Sequence, residues 1–575
     1  MNSDVDKGPI TLSVVLWITL TIFLLVPEFW LAHTHPWYEP IVSIMINGYN
    51  YLAIVLSVLI ISSYLGKKFR KGITKIIDTI FFIFVLAYSI SQSFLWVNFY
   101  RHWDQFTMQL IHETTLRESS EFLSSYILTA NFLLIICLYA LAVVVCIYSD
   151  HKVRRISLPG QLWKRMGILL FILSVYSQIY FISGTLEENY NRAAGWPVKR
   201  TAIFNLRQSM LQMREYNDEN VRCAQTLREY SYCDSIPDNA PDIVWIIGES
   251  YNRHHSSLYG YYLQTSPNMH KRMEEGMLYK FDDVIAPFNS TSHCLKYCMS
   301  MASTGDNISW YDTPLFPALF KGNGWNVVYY SNQFTVKDDL SQWDASMGFI
   351  NHPMINGYLF TKRNHNSFDY DMQLVEDYIQ HRSKIEEKDH NLIIFHLYGQ
   401  HVKFYSRYPQ KETVFHAIDI KSDFSEQQRE IIAQYDNATL YNDFVIEKII
   451  KLFEDKNAVI VYFADHGEEV YDFREQMGRT SLEIDESRAQ QHQLDIPFFI
   501  IPTTKCIESH PDIPVRLGKA LKVPFMTDDF PHLLLDLVGA KSPWLDVTKS
   551  PLNEHYVIKK RFIQNSSRVY ERPIS

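Results

Sequence analysis

Long apolar windows crowd into the first 184 residues of a chain of 575, at about Thr11–Leu31, Tyr49–Leu65, Ile76–Val97, Ser125–Tyr148 and Met166–Gly184. The hydrocarbon core of a bilayer takes about 20 residues of apolar helix. In lipid the backbone must satisfy its own hydrogen bonds, which a helix does and an open strand does not. Any one window also suits a buried helix of a water-soluble domain. Five in succession do not, so they are read as a five-helix transmembrane domain over residues 1–184. Thr11–Leu31 sits where a secretory signal would. It lacks a basic leading segment and a small-residue cleavage site, and so reads as a retained helix.

The loops set the orientation. Lys67, Lys68, Arg70, Lys71 and Lys75 follow the second window, and Lys152, Arg154, Arg155, Lys164 and Arg165 follow the fourth. Ala32–Gly48 has no Lys or Arg, and Asn98–Ser124 has only Arg101 and Arg117. Basic loops stay in the cytoplasm. The N-terminus is therefore expected inside, and an odd number of spans puts everything after Gly184 outside. The net charge of −9 gives no footprint for nucleic acid.

Cys137 and Cys146 lie in the fourth window, as packing residues. Cys223, Cys233, Cys294, Cys298 and Cys506 fall in the exported part, where disulfides are permitted. Cys223 with Cys233 is the simplest pair. Cys294 and Cys298 stand four apart, a strained spacing on a helix. No C-x2-C pair occurs, which argues against a zinc finger.

Residues 185–240 are polar, with helical spacing over Ala202–Tyr230. They suit a plain linker, or an interfacial helix with Phe204, Leu206, Met210, Leu211 and Met213 partly buried. From Pro241 the pattern changes. Apolar strands are expected at Asp242–Gly248, Trp325–Tyr330, Asn391–Leu397, Ala458–Ala464 and Pro497–Pro502, with helices such as Ser367–His381 and Gln427–Lys451 between them. That alternation predicts an α/β domain over 241–575, a mostly parallel sheet covered by helices on both faces. Its ligands are expected beyond the strand ends.

Polar residues gather there. Glu249, His401, Asp465 with His466, and His492 follow or flank strands. Singly they suit a helix cap, a surface loop, a charged turn and a solvated loop over Arg479–Gln493. Jointly they offer the oxygen and nitrogen donors that suit Zn²⁺. Ser290, Thr291 and Ser292 open a further helical segment ending at Met299. A hydroxyl there is usually a cap. It also faces backbone amides that favour anions such as phosphate. If Zn²⁺ binds that oxygen, it becomes a nucleophile at neutral pH.

These motifs carry a resemblance. Val244-Trp245-Ile246-Ile247-Gly248-Glu249-Ser250, Ser257-Leu258-Tyr259-Gly260-Tyr261 with Thr265-Ser266-Pro267, the Thr291 segment and Tyr330-Ser331-Asn332-Gln333 follow in order. His401 before Tyr405-Ser406-Arg407-Tyr408-Pro409, then Tyr435-Asp436-Asn437 with Leu440-Tyr441-Asn442-Asp443, and Asp465-His466-Gly467-Glu468-Glu469 complete the set. The exported part resembles the alkaline phosphatase/sulfatase superfamily. Nearly the whole chain resembles the membrane-bound phosphoethanolamine transferases that decorate lipid A and other envelope glycans.

The resemblance implies a bacterial inner-membrane protein with a periplasmic catalytic domain. It implies phosphatidylethanolamine as donor, and lipid A or another envelope glycan as acceptor. It implies zinc held by Glu249, Thr291, Asp465 and His466, with a phospho-threonine intermediate on Thr291. His401 and His492 would lie near the phosphoryl or ethanolamine group, or hold a second zinc. Asn289-Ser290-Thr291-Ser292-His293 departs from the better-known lipid A members, so Ser290 and Ser292 stay as alternatives. A sulfatase activity fits poorly, because Cys294-Leu295-Lys296-Tyr297-Cys298 lacks the Pro and Arg of a formylglycine site. A glycerol-phosphate transferase of lipoteichoic-acid-synthase type shares the architecture. The Tyr435-Asp436-Asn437 segment and the exported cysteines favour phosphoethanolamine. A scaffold with a degenerate site is opposed by the presence of every expected ligand.

Overall fold

The structure, a computed structural model, describes residues 10–30, 38–68, 71–99, 103, 107, 127, 129–153, 156–158, 160–193, 202–333, 348–386, 388–479, 486–564 and 569–570. It divides into two compact units, Met1–His112 with Leu123–Tyr216, and Glu113–Phe122 with Asn217–Ser575.

The first unit is helical. Helices α1 (Val14–Leu24), α2 (Val26–Trp30), α3 (Tyr38–Lys68), α4 (Lys71–Phe99), α5 (Ala130–Lys152) and α6 (Gly160–Ile182) follow one another. Stretches at Ile41–Leu65, Gly72–Phe99, Ala130–Lys152 and Arg165–Ile182 are long and apolar enough to cross a membrane. Leu133, Leu134, Leu138, Leu141 and Val144 are all exposed on α5, as a helix facing lipid requires. The expected first span differs. It is broken at Leu25 into the 11 residues of α1 and the 5 of α2. Pro27, with no amide hydrogen, follows the break and cannot carry the ladder across it. Leu20, Phe23, Val55, Leu59, Ile60 and Val85 form the unit's core. A Cβ on Gly167 of α6 would lie 2.8 Å from Ile60 of α3, so glycine is what lets these helices approach. Of the basic residues that set the orientation, Arg70, Arg101, Arg117, Arg154 and Arg155 lie outside the described residues.

Helix α7 (Ala202–Glu229) forms over the expected stretch. Phe204 is buried near its start and Met210 is exposed. Cys223, Ala224 and Leu227 enter the core of the second unit, so this end of α7 is part of a fold and not a plain linker. Cys223 and Cys233 are buried free thiols, and the expected local pair is not formed.

The second unit is built on a seven-stranded sheet. Its strands are β1 (Asp242–Gly248), β2 (Tyr279–Lys280), β3 (Asn326–Ser331), β4 (Lys362–Arg363), β5 (Asn391–His396), β6 (Ala458–Ala464) and, after a small hairpin of β7 (Glu469–Val470) and β8 (Met477–Gly478), β9 (Phe498–Pro502). Their order across the sheet is β2-β9-β6-β1-β5-β3-β4. Strands β4, β3, β5, β1 and β6 are parallel. Strand β9 runs antiparallel to both neighbours. The chain leaves β6 and returns to β9 at the same sheet end, where Gly467 N–H donates to Gln493 O at 2.8 Å, so β9 must run backwards. Every residue of β1, β3, β5, β6 and β9 is buried, so both faces of the sheet are covered. Trp245 packs at the centre against the rings of Phe316, Phe463 and Phe530.

Candidate active site

Central strands β1 and β6 pair in register and finish level, Gly248 opposite Ala464. The next residues are Glu249 and Asp465, brought side by side. Gly248 must be glycine here, because a Cβ would meet the Tyr462 hydroxyl at 2.3 Å. After Glu249 the chain turns through Ser250 at φ 55, a left-handed conformation that costs a non-glycine residue. Helix α10 (Glu426–Phe453) holds that turn. Its Tyr435 hydroxyl donates to Ser250 O at 2.6 Å and accepts from Asn252 N–H at 2.8 Å.

The ligand atoms are aimed by their other bonds. Asp465 Oδ1 accepts from the Ser250 and His466 amides at 3.1 and 2.8 Å. Its Oδ2 is buried and has no hydrogen-bond donor among the described residues. His466 Nδ1 lies 2.7 Å from Gly467 O. A carbonyl only accepts, so Nδ1 carries the proton and the Nε2 lone pair faces inward. Nε2 stands 3.3 Å from Asp465 Oδ2 and 3.5 Å from Glu249 Oε1. Glu249 accepts from Gln333 Nε2 and from Ser250 Oγ, both at 2.8 Å.

Thr291 opens helix α8 (Thr291–Met299). Its Oγ1 donates to Glu249 at 3.1 and 3.3 Å and lies 3.4 Å from His466 Nε2. Ser290 Oγ instead pairs with His293 Nδ1 at 3.0 Å, and the buried Ser292 hydroxyl makes no hydrogen bond among the described residues. Of the three candidate hydroxyls, Thr291 is the one that meets the cluster.

Glu249, Asp465 and His466 offer ligand atoms within 4.8 Å of one another, all buried. Burial and the charge of Glu249 push the Asp465 carboxyl far above its ordinary range. Burial resists ionisation of Glu249 too, but His466, His401 and Arg479 outweigh it and hold that carboxyl low. Burial lowers His466 to about 4, so the ring is neutral and its lone pair available at neutral pH. Two buried carboxylates against a neutral imidazole, one oxygen lacking a donor, are costly without a cation. The donor set suits Zn²⁺.

His401 lies beside this group. The loop leading to it crosses Glu249 so closely that a Cβ on Gly399, at φ +49, would stand 2.9 Å from the Glu249 amide nitrogen and carbonyl oxygen. Asp371, first residue of helix α9 (Asp371–Ile385), holds the loop through the Tyr398 and Gly399 amides at 2.8 and 2.9 Å. His401 is buried, stacked on Tyr398, and feels the charge of Glu249. It is not in the cluster of three. His492 lies on helix α11 (Glu486–Leu494) and not in the expected solvated loop. Its Nδ1 sits 3.1 Å from both Asp472 Oδ1 and Asn252 Nδ2, which turns the ring to a second polar network. His255 is the centre of that network, between Asp436 at 2.7 Å and Asp472 at 3.0 Å.

Gln333, Tyr435 and Asp371 position the site without having been singled out for a role. Gln333 was findable, since it follows an apolar strand as Glu249 does. Tyr435 stood out only as part of the Tyr435-Asp436-Asn437 segment, with nothing to show that its hydroxyl holds the turn, and Asp371 opens a helix with no local signal.

A sheet with a metal-suited cluster and a helix-borne hydroxyl at its carboxyl end defines a phosphatase/sulfatase type of protein. The Sulfatase family model matches residues 241–540, and the chain belongs to that family. Within it, the chain is similar to phosphoethanolamine transferase EptC of Escherichia coli K12, 26% identical over 509 residues and 85% of each chain. A zinc complex of the periplasmic domain of the E. coli EptC has a TM-score of 0.50 at 23% identity, covering 59% of this chain and 94% of that one. The integral membrane lipooligosaccharide phosphoethanolamine transferase A of Neisseria meningitidis has a TM-score of 0.61 at 16% identity, over 94% of this chain and 98% of that one. The protein is thus a membrane protein with the two-part architecture of that enzyme.

Proposed function

We propose that the protein transfers phosphoethanolamine from phosphatidylethanolamine to lipid A or another envelope glycan, through a phospho-threonine on Thr291. The names of its relatives support the transferred group, and lipooligosaccharide in one of them supports the acceptor class. The protein then sits in a bacterial inner membrane, with residues 1–184 as anchor, 185–240 as connection and 241–575 as periplasmic catalytic part.

The observation that carries this function is the position of Thr291 Oγ1, 3.1 Å from Glu249 and 3.4 Å from His466. Glu249, Thr291, Asp465 and His466 would hold Zn²⁺, in keeping with the zinc complex of the EptC domain. Bound there, zinc supplies positive charge that lowers the pKa of a coordinated hydroxyl and offsets charge on a phosphoryl group.

The chain's own residues do the rest. Glu249 accepts the Thr291 hydrogen bond and aims the oxygen. Ser290 makes no side-chain cap, so its hydroxyl does not compete with phosphoryl oxygens for the first amides of α8. Thr291 Oγ1 attacks phosphorus. The bond from phosphorus to the glycerol oxygen breaks, and diacylglycerol leaves with the proton. An acceptor oxygen then attacks the same phosphorus, and Thr291 is restored. His401, beside Glu249, is assigned to the phosphoryl or ethanolamine side of the bound group. His492 acts through Asp472.

The test uses the full chain in lipid nanodiscs containing phosphatidylethanolamine. Diacylglycerol should appear, and the Thr291 peptide should gain the mass of phosphoethanolamine. Thr291→Ala should abolish both while leaving the thermal midpoint in place. Undiminished diacylglycerol release by that variant overturns the assignment.

A further inference from the structure

We propose that Lys296 and Glu219 are positioning residues for the nucleophile, and that helix α7 holds Thr291 to the cluster through their ion pair. The inference rests on the threonine-transfer function proposed above and adds two residues to it.

Thr291 and Lys296 share the short helix α8. An α-helix turns about 100° per residue, so Lys296 faces about 140° away from Thr291. One side of α8 meets the cluster. Thr291 Oγ1 donates to Glu249 at 3.1 Å, and Cys294 and Cys298, on that same side, are buried in the core. The far side is covered by α7. There Lys296 Nζ donates to Glu219 Oε2 at 3.2 Å. The lysine side chain is only 5% exposed and that of Glu219 29%. Lysine is almost never buried so deeply unless paired. Trp310 Nε1 donates to the same Glu219 oxygen at 3.3 Å, and Lys296 Nζ lies 4.8 Å over the Trp310 ring. Each of the three side chains thus touches the other two on the back of α8.

Neighbouring bonds tie α7 to the end of the same helix. Arg222 grips both oxygens of Asp312 at 2.7 and 2.8 Å, and Thr226 Oγ1 donates to Tyr311 O at 2.8 Å. The segment Trp310–Asp312, held in this way, accepts the hydroxyl of Ser300 at Trp310 O, 3.0 Å away. Ser300 is the residue that ends α8. Apolar packing is non-directional, whereas bonds on opposite sides of a helix fix its rotation. Rotation matters here, because a misplacement of about 1 Å at a reacting atom costs about 100-fold in rate. Helix α7 begins in the first unit and ends in the second. The helix that arrives from the membrane part is therefore also the one that steadies the nucleophile.

The experiment compares full-length wild type, Lys296→Met, Lys296→Arg and Glu219→Gln in nanodiscs. Diacylglycerol release from phosphatidylethanolamine is measured as kcat and KM, together with zinc content, thermal midpoint and hydrogen exchange of the α8 amides. K296M keeps the length of the side chain and loses the bond. Its kcat should fall roughly 10- to 100-fold, with KM and zinc content unchanged. Its α8 amides should exchange at least about tenfold faster. K296R keeps a charge-assisted bond and should stay closest to wild type. E219Q, left with a neutral acceptor, should fall between. A pair that only stabilises the fold would lower the thermal midpoint and leave kcat per zinc-loaded molecule at the wild-type value in K296M. That result overturns the inference and leaves the transfer function standing. No diacylglycerol from wild type, with α8 exchange still faster in K296M, overturns the transfer function and leaves the pair as the support of Thr291. Should K296M fail to fold, E219Q decides, since wild-type kcat and α8 exchange in that variant overturn the inference.

Discussion

Each side chain at the centre is aimed by a bond pointing away from it. The proton on His466 Nδ1 is spent on Gly467 O, and one oxygen of Asp465 is spent on two amides. Gln333 does the same for Glu249, its amide held between the carboxylate and Leu397 O at 2.8 Å each. Gln333→Ala frees Glu249 to turn, and zinc affinity should fall roughly 10–100-fold, read by chelator competition. Unchanged affinity would show that Glu249 is aimed by other contacts. Glu249, Asp465 and His466 were legible because each directly follows a run of buried apolar residues. Thr291 was legible only as one of three hydroxyls, since adjacent helix-start positions look alike until the helix is placed. His492 was misplaced because a polar stretch rich in Gln and Arg carries little sign of the helix it forms.

At the level of elements, the site is a set of loops pressed against the end of β1. Gly399 shows how tight the fit is: two backbone atoms of Glu249 would lie 2.9 Å from an added Cβ and cannot swing aside. Gly399→Ala should destabilise the protein by about 1–3 kcal/mol and reduce transfer by more than tenfold. Gly324, at φ +83 with open space around it, is the control. Gly324→Ala meets backbone strain alone, so activity should persist in that variant. Equal activity in the two would deny that the loop after β5 positions Glu249. Four of the five parallel strands were readable within about a residue, because strands buried on both faces are continuously apolar, while the two-residue β4 at the edge was not. The backward run of β9 was not, since direction depends on where the connection returns. The broken first helix was missed for a related reason. Apolar content alone predicts a span, while one proline decides whether the span is continuous.

For the whole molecule, stability should follow pH through the second polar network. Burial alone lowers a histidine, but Asp436 and Asp472 outweigh it and raise His255 to about 10. The folded value lies above an unfolded one of about 6.5. Its contribution is fully present below that pH and is lost as pH rises through about 10. Asp495 has the opposite sign. Burial raises it, yet His254 and Arg253 bring it down to about 2, so its contribution is lost as pH falls through that value. The thermal midpoint of the full chain should therefore decline from pH 7 to 10, and His255→Asn should flatten that decline. An equal slope in the variant would assign it elsewhere. The pairing of β1 with β6 bears on biosynthesis as well. Its two strands come from distant parts of the chain, and the proposed metal ligands are their next residues. During synthesis Glu249 and Thr291 exist long before Asp465 and His466. Until the last central strand slots in, the nascent chain holds one carboxylate and a hydroxyl, too few donors to retain zinc. On the proposed assignment, metal capture would be a closing event, and a loaded site would certify that the sheet around it was finished.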